Sequence, residues 1–421
     1  MNTDEVLHDQ VVTVSDGVIV AVDSARRGPM PPGALVLEGG FLIPGLCDMH
    51  THLHRRDPDP EHLVLYFAEG VTTVRAMSGP SENHEWRTMI EAGRLIGPTI
   101  LTSGRVLIDG LPPEVLTREP VYVPTSAEDA AAEVWRQAES WPDLIKVYDG
   151  LTADAYLAAI AAANSAGVWV AGHALNGLTA VDLLGSGINE IAHVDELNMI
   201  HWVGKPGDPG FRMDYAAIES TVKLMRAHDV AVVSNLVADE VMYELIYDQE
   251  SVLGQPRYRT TRPETIERWR VHGRHRTVYA DQGRYRRDVE MPFLMALIAA
   301  LQRAGVLITV GTDASPDLEG STQANIHREL ELLVEAGLTP LEALQIGTRN
   351  AGLLVERMGR DGNFGRITPG ARADLVLLDD NPLEDVSATR RRRGTMVRGR
   401  WYEQALLERM VDRYVTSYEV A

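Results

Sequence analysis

Short apolar segments alternate with longer amphipathic segments through most of this 421-residue chain. Each apolar segment is rich in Val, Ile, Leu and Thr, which is typical of a buried strand, and each amphipathic segment is long enough for a helix. The predicted strands lie at Leu46–Met49, Val71–Val74, Thr99–Thr102, Leu144–Tyr148, Val168–His173, Glu190–His193, Val230–Ser234 and Val306–Gly311. Strands that alternate with helices predict a parallel sheet, and eight such repeats predict an α/β fold of the closed (β/α)8 TIM-barrel type.

The remaining segments complete the predicted domain organisation, in which residues 43–363 form the barrel. Three connections are too long for simple turns, so we expect insertions there. These lie near 104–124, 198–213 and 238–290. The longest, 238–290, is rich in Arg, Tyr and Glu and predicts a helical insertion covering the active site. Patterns typical of strands at 1–42 and 364–403 predict that the two ends pair in a small β-sandwich domain, and a C-terminal helix follows at 404–421.

Composition and charge narrow the class of protein. The apolar content of 45% and the charged content of 24% are ordinary for a globular protein. Sixty acidic residues against 40 basic ones give a net charge of -20, which argues against a nucleic-acid partner. The single Cys47 excludes an internal disulfide framework and a thiolate metal cluster. The N-terminus lacks the basic start and apolar run of a signal peptide, and no segment predicts a membrane span, so we expect a cytoplasmic protein.

Polar side chains stand where several predicted strands end. His50 and His52 follow the first strand, and residues two apart on a strand point to the same side. His173 and His193 end the fifth and sixth strands, and Asp313 lies just beyond the eighth. Because functional residues of such barrels sit at the C-terminal ends of the strands, we expect these side chains to lie together. Imidazole and carboxylate ligands without thiolates suit Zn²⁺, with Mn²⁺, Fe²⁺ or Ni²⁺ as alternatives.

Lys146 poses a separate question because it lies inside the fourth strand, between Ile145 and Val147. An uncompensated ammonium group is costly to bury. One interpretation pairs Lys146 with a buried acid. The other deprotonates the amine by desolvation, so that it reacts with carbon dioxide and forms a carbamate able to bridge two cations. In that case the carbamate, four histidines and Asp313 make a two-metal site.

These segments resemble motifs of the amidohydrolase superfamily, and the resemblance covers nearly the whole chain. The similar segments are Pro44–His52 in the first strand, Gly70–Arg75 in the second, Gly311–Asp313 after the eighth, and Gly365–Val376 in the closing β segment. Lys146 in the fourth strand, together with the pairs Gly172-His173 and Ala192-His193, is most similar to the metal-dependent dipeptidase branch that includes bacterial prolidases.

The resemblance implies a role for each ligand. The implied ligands are His50, His52 and Asp313 for the more buried metal, His173 and His193 for the second, and carbamylated Lys146 between the two. Two features depart from the family pattern. The N-terminal β segment is short, and Arg75–Gly79 lacks the acidic residue expected after the second strand, which leaves the substrate preference open.

The expected reaction is hydrolysis of an amide bond in a small molecule, either peptide-like, N-acyl or cyclic. A hydroxide shared by the two cations would attack, and Asp313 would act as general base and pass the proton to the leaving group. Tyr148, Asn176 and His327 stand near the ends of the fourth, fifth and eighth strands and are candidate substrate contacts. A homo-oligomer stays open, because barrels of this kind frequently assemble.

Two other functions stay open. A mononuclear deaminase acting on a heterocycle uses the same barrel but does without a bridging lysine, so Lys146 argues against it. A non-catalytic barrel that serves as a scaffold or binding protein is the second alternative. A complete set of metal ligands argues against that one.

Overall fold

The computed structural model defines most of the chain. The described residues are 6–24, 33–53, 59–110, 120–140, 142–206, 208, 210–277, 279–315, 320 and 322–419. Their strands are β1 (Gln10–Ser15), β2 (Val18–Ser24), β3 (Phe41–Pro44), β4 (Leu46–Thr51), β5 (Val71–Ala76), β6 (Thr99–Thr102), β7 (Val106–Leu107), β8 (Val121–Tyr122), β9 (Leu144–Val147), β10 (Trp169–Gly172), β11 (Glu190–Ile191), β12 (Trp202–Val203), β13 (Arg212–Met213), β14 (Ala231–Val233), β15 (Ile308–Thr309), β16 (Leu375–Leu378), β17 (Arg392–Val397) and β18 (Arg400–Glu403). Their α-helices span Leu63–Ala68, Ser81–Glu91, Ala127–Ala138, Ala153–Ala166, Ala180–Leu184, Ile218–Ala227, Leu236–Leu253, Pro263–His272, Arg274–Thr277, Gly283–Tyr285, Met291–Ala304, Asn325–Glu335, Pro340–Ile346, Arg349–Arg357 and Gln404–Thr416.

The eight predicted strands are present in the predicted order as β4, β5, β6, β9, β10, β11, β14 and β15. Three of them form a parallel sheet in the order β4–β5–β6. The other five belong to a parallel seven-stranded sheet in the order β15–β14–β11–β10–β9–β7–β8, in which β7 and β8 are additional short strands.

Backbone contacts join the edges of these two sheets. On one side the amide of Met49 in β4 donates to the carbonyl of Val310, just after β15, at 2.8 Å. On the other side the amide of Asp143 donates to the carbonyl of Thr102 in β6, also at 2.8 Å. The fold is therefore an α/β fold of the TIM-barrel type, with its strands in two sheets joined at their edges.

Helix boundaries follow the local sequence signals. The hydroxyl of Ser126 accepts a hydrogen bond from the amide of Asp129, and that of Thr152 accepts one from the amide of Ala155. Both side chains thereby satisfy an amide that would otherwise lack a partner at the first turn of a helix. At the other end, helix Met291–Ala304 stops at Gly305, which has a left-handed φ of 75°.

The two ends of the chain pair with each other. Strand β3 pairs antiparallel with β16, and β17 and β18 extend the same sheet. Strands β1 and β2 form an antiparallel hairpin that precedes β3 in the chain. This hairpin also contacts the C-terminal segment, because the amide of Ile19 donates to the carbonyl of Ala371 at 2.9 Å. Pairing of the two ends therefore agrees with expectation, whereas a β-sandwich of two packed sheets stays a prediction.

The described part of 238–290 is mainly helical, as predicted for this insertion. The region 198–213 contains the antiparallel pair β12–β13, and within 104–124 residues 111–119 lie outside the described part of the chain. Helix Gln404–Thr416 occupies the predicted C-terminal helix and packs on helix Leu63–Ala68. None of the helices in the described ranges has the length and apolar character required to cross a bilayer.

A buried ion pair connects β5 with β11. The guanidinium group of Arg75 makes a bidentate contact with the carboxylate of Glu190, with 2.7 Å between Nη1 and Oε2. Arg75 Nε also donates to the carbonyl of Met49, and the indole of Trp169 donates to Glu190. Both charged side chains are completely buried, so each depends on the other for compensation of its charge.

We expect Glu190→Gln to destabilise the protein by about 3–5 kcal/mol, because it leaves the charge of Arg75 buried and uncompensated. Urea unfolding measures the loss. The control is Glu219→Gln, which breaks the exposed pair with Lys223 and should have little effect. Equal effects of the two substitutions would contradict the structural importance of the buried pair.

Candidate metal centre

Three of the predicted ligands lie together where β4 and β15 end. His52 Nε2 is 3.0 Å from Asp313 Oδ1, and His50 Nε2 is 3.4 Å from the same oxygen. The backbone fixes this arrangement, because the amide of Asp313 donates to the carbonyl of His50 at 2.9 Å. The first strand and the segment after the eighth thus present two imidazoles to one carboxylate.

The other two histidines extend the same cluster. The ring of His193 lies 4.5 Å from that of His50 and 4.7 Å from that of His173, measured between centroids. Two overlapping groups bring their ligand atoms within 4.8 Å of one another. The groups are His50, His193 and Asp313, and His173, His193 and Glu196. Each contains enough donors to hold a cation.

Hydrogen bonds orient the imidazoles. Nδ1 of His50 donates to the carbonyl of Ala192 at 2.8 Å, so its Nε2 faces the cluster. Nδ1 of His173 is 3.0 Å from Glu196 Oε1, and Nδ1 of His193 is 3.2 Å from Asp195 Oδ1. A carbonyl or carboxylate on one ring nitrogen, with the other directed inward, is the usual arrangement of histidine ligands.

Burial has the largest effect on the pKa of His50 and of His173. It lowers the pKa of His50 and of His173 well below the usual range, and the positive charges of neighbouring groups act in the same direction. For His193 burial also lowers the pKa, but the adjacent Asp195 carboxylate outweighs it and the net pKa is raised. Burial therefore favours the neutral imidazole in His50 and His173, the form that binds a metal.

Lys146 is completely buried in β9. Its Nζ has no hydrogen-bonding partner among the described residues and lies 5.0 Å from the centroid of the Tyr148 ring. Burial lowers the pKa of its amine to about 8, against the opposing effect of Glu196 and Asp313. Lys146 therefore lacks a hydrogen-bonded carboxylate among the described residues, although the charges of Glu196 and Asp313 act on it.

Several buried polar atoms of this cluster lack a hydrogen-bonding partner among the described residues. Such atoms normally find a hydrogen bond, a water molecule or an ion. In the described residues they include His50 Nε2, His173 Nε2, Lys146 Nζ and Asp313 Oδ1. Nitrogen and oxygen donors of this kind suit a divalent cation, so the residues present fit a metal centre.

The Gly311–Asp313 segment has little freedom to vary. A Cβ on Gly311 would lie 2.6 Å from the Cβ of His50, so only glycine fits there. The hydroxyl and amide of Thr312 both donate to the carboxylate of Asp48. Asp313 itself has a left-handed φ of 54°, a conformation that Asp tolerates better than most residues. These constraints aim its carboxylate at the histidines.

Of the predicted substrate contacts, Tyr148 lies next to the cluster. Its half-buried ring has its centroid 3.7 Å from that of His173. Asn176 is exposed, four residues beyond the end of β10. Of these two residues, Tyr148 adjoins a candidate metal ligand, and the substrate contacts of both stay predictions.

The structure places His327 elsewhere. The residue is buried, with Nδ1 2.9 Å from Thr389 Oγ1 and Nε2 2.8 Å from Arg392 Nη1. Glu69 also lies 3.2 Å from Nε2. These contacts join the helix of His327 to the C-terminal β segment, and its role as a substrate contact stays a prediction. Its position at the start of a helix did not reveal which face it occupies.

Sequence reasoning missed several polar residues of the site. Asp149, Asp195 and Glu196 lie against the histidines, and Asn235 follows β14. Asp149 is three residues beyond Lys146, and Asp195-Glu196 follow His193 closely, so spacing offered a signal. Burial raises the pKa of Glu196 to about 8, which marks it as part of a site with perturbed ionisation.

The 238–290 insertion reaches this group of carboxylates. Arg286 Nη1 donates to Asp239 Oδ1 at 2.8 Å. Burial alone would raise the pKa of Asp195, but His193 and, more weakly, Arg286 lower it. The insertion therefore contributes a positive charge behind the carboxylate that orients a candidate metal ligand.

Comparison with known proteins gives one family and several relatives. A sequence profile of the amidohydrolase family matches residues 41–402. Ochratoxinase from Aspergillus niger is 42% identical over 86 residues, which are 20% of this chain and 16% of that protein. Adenine deaminase from Klebsiella pneumoniae is 35% identical over 89 residues, which are 21% of this chain and 14% of that protein. These alignments span only a small part of the curated relatives.

Solved structures match over almost the whole chain. The crystal structure of A. niger ochratoxinase has a TM-score of 0.64 at 20% identity and covers 94% of this chain and 92% of that one. A Xaa-Pro dipeptidase with bound methionine has a TM-score of 0.65 at 19% identity, over 93% and 94% of the two chains. At such identities the likeness establishes the fold alone.

We expect Zn²⁺ to stabilise the metal-free protein, by about 2.7 kcal/mol when present at roughly 100 times its Kd. His50→Ala and His173→Ala should each reduce this gain, because each removes an inward-facing nitrogen. Thermal unfolding with and without Zn²⁺ measures it. The control His228→Ala changes an exposed histidine and should keep the full gain. An equal gain in all variants would mean that Zn²⁺ binds elsewhere.

Proposed function

Because this chain belongs to the amidohydrolase family, we propose that it is a metal-dependent hydrolase that cleaves an amide bond in a small molecule. Family membership and the prolidase-like and ochratoxinase folds support a hydrolase acting on carbon–nitrogen bonds. The observation that carries the proposal is the convergence of histidines from three strands with an aspartate from a fourth, beside a buried lysine. We infer that the two joined sheets act as one eight-stranded barrel with these groups on its C-terminal face.

The proposed ligands form two sets joined by one residue. They are His50, His52 and Asp313 for one ion, His173 and His193 for the other, and carbamylated Lys146 for both. Zn²⁺ suits these donors best, and Mn²⁺, Fe²⁺ or Ni²⁺ are alternatives. When bound, two such ions supply Lewis acidity, which lowers the pKa of water and polarises a carbonyl group.

The environment of Lys146 supports its modification. Its amine has a pKa of about 8 because it is buried, so a useful fraction is uncharged near neutral pH. The nitrogen lone pair attacks the carbon of carbon dioxide, an N–C bond forms, and one proton leaves for the solvent. The product has a delocalised negative charge on two oxygens, which the unmodified side chain cannot provide.

Asp313 is the proposed general base. Its carboxylate stands between His50 and His52 in a turn that the backbone holds rigidly. It would accept a proton from the attacking water and then transfer that proton to the departing nitrogen, which leaves as an amine. Tyr148, which stacks on His173, is the best placed of the proposed substrate contacts, and Asn176 stays a more distant candidate.

Metal analysis combined with a substrate screen tests the proposal. We expect two divalent ions per chain and cleavage of at least one member of a set of dipeptides, N-acyl amino acids and cyclic amides, with lactones included for comparison. One ion per chain and ammonia release from a heterocycle would favour the deaminase alternative, which the similarity to adenine deaminase keeps in view. Metal binding without any turnover would favour a scaffold.

We expect Lys146→Ala to lose bound metal and activity, because the shared ligand is removed. Added short carboxylic acids should restore part of both, since they supply the missing oxygens. Elemental analysis and turnover measure the change. Lys223→Ala, at an exposed position, serves as the control and should behave like the wild type. Unchanged metal content in Lys146→Ala would rule out the bridging role.

We expect Asp313→Asn to keep much of the metal but to lower kcat by about 10²–10⁴-fold, the usual contribution of a general base. The amide keeps the size and one oxygen of the side chain but cannot accept the proton. Metal content and kcat are measured together. Asp412→Asn, at an exposed pair with Arg259, is the control. Wild-type turnover in Asp313→Asn would remove it as the base.

A further inference from the structure

Asn235 is a buried amide at the end of the seventh predicted strand. It follows β14 by two residues and is only 3% exposed. Neither Nδ2 nor Oδ1 has a hydrogen-bonding partner among the described residues. Its φ of 47° lies in the left-handed region, which costs free energy for any residue with a side chain, although Asn tolerates it better than most.

The turn that contains Asn235 is held in place from both sides. The hydroxyl of Ser234 donates to the carboxylate of Glu329, and the amide of Val237 donates to the other oxygen of that carboxylate at 2.7 Å. Glu329 is completely buried. The neighbouring residues thus keep Asn235 in a conformation that gives its own side chain no partner. A residue with two unfavourable features that its surroundings enforce is a candidate for function.

The Asn235 amide lies beside the proposed catalytic groups. A Cβ on Gly311 would be 2.1 Å from Asn235 Oδ1 and 2.6 Å from the Cβ of His50, so the amide lies over Gly311 next to His50. Asp313 is two residues beyond Gly311, and its Oδ1 is 3.4 Å from His50 Nε2. The unpartnered amide therefore lies near the Cβ of His50, and the proposed base lies at Nε2 of the same side chain.

We propose that Asn235 binds the water molecule that attacks the substrate and holds it beside Asp313, an inference that rests on the proposed function. Both polar atoms of the amide are shielded, which favours a ligand as small as water over the substrate itself. The amide oxygen accepts one hydrogen of the water and Asp313 accepts the other. The water oxygen then keeps a lone pair for the substrate carbonyl. As the new O–C bond forms, the π bond of the carbonyl breaks and its electron pair moves to the carbonyl oxygen, while the proton that faces Asp313 passes to that carboxylate.

Asn235→Gly tests this role, because glycine removes the amide and accepts the left-handed φ without strain. We expect kcat to fall by about 10- to 100-fold, the scale of misplacing a reactant, while KM changes by less than about twofold. Metal content should stay at the wild-type level. The melting temperature of the metal-free protein should stay the same or rise, because an unpartnered buried amide and a strained backbone are both removed.

Asn350→Ala is the matched control, since Nδ2 of Asn350 donates to the carbonyl of Ile308 in β15 at 2.9 Å. This amide has a structural partner, so its loss should lower the melting temperature and leave kcat unchanged. Wild-type kcat in Asn235→Gly, or a loss of kcat that follows lost metal or lost stability, would overturn the inference about Asn235 alone. If the wild type hydrolyses no amide, the proposed function fails and this inference with it.

Discussion

The candidate metal centre depends on the backbone pairing between β4 and the segment that follows β15. Three hydrogen bonds of 2.8–2.9 Å join them, from Met49 to Val310, from Asp313 to His50 and from His52 to Ala314. These bonds bring side chains from distant parts of the chain to one edge, and they do so through main-chain groups. The ligand positions are therefore as rigid as the sheet itself, which is what a metal or a reacting water requires of its surroundings.

A second layer of carboxylates lies behind two of the histidines and raises the pKa of one of them, His193. Glu196 lies against His173 and Asp195 against His193, so two of the candidate ligands have acidic neighbours behind them. Arg286 from the long insertion lowers the pKa of Asp195. Asp195 thereby places a negative charge on the side where cations would bind, and the insertion helps to keep it ionised. The 238–290 insertion, which the sequence predicts to cover the active site, thus also affects the electrostatics of the site.

Strands and strand-end residues were predictable because they follow from local patterns. The apolar segments identified eight of the parallel strands but not the short β7 and β8. Residues at the ends of parallel strands meet at one face, which is why His50, His173 and His193 lie together. Asp195 and Glu196 could have been found by the same reasoning, since they lie two and three residues beyond His193. Asn235 also follows a predicted strand, the seventh. An asparagine next to a turn is common, however, so only its burial distinguishes it.

Other features could not be read from the sequence because they arise from tertiary packing. His327 stands at the start of a helix, and only the packing of that helix against Thr389 and Arg392 decides which way the ring points. The partner of Arg75 is likewise invisible locally, because Glu190 lies on a strand that is not its neighbour. Residue type and spacing predict which groups are available, whereas the assembled sheet determines which of them meet.

The Arg75–Glu190 contact also limits how this sequence can diverge. A single change at either position leaves a lone charge in a water-free interior, whereas a joint change to two apolar residues of similar volume is often neutral. Descendants should therefore replace the two positions together or keep both. In an alignment of orthologues, positions 75 and 190 should therefore covary, whatever substrate each enzyme hydrolyses.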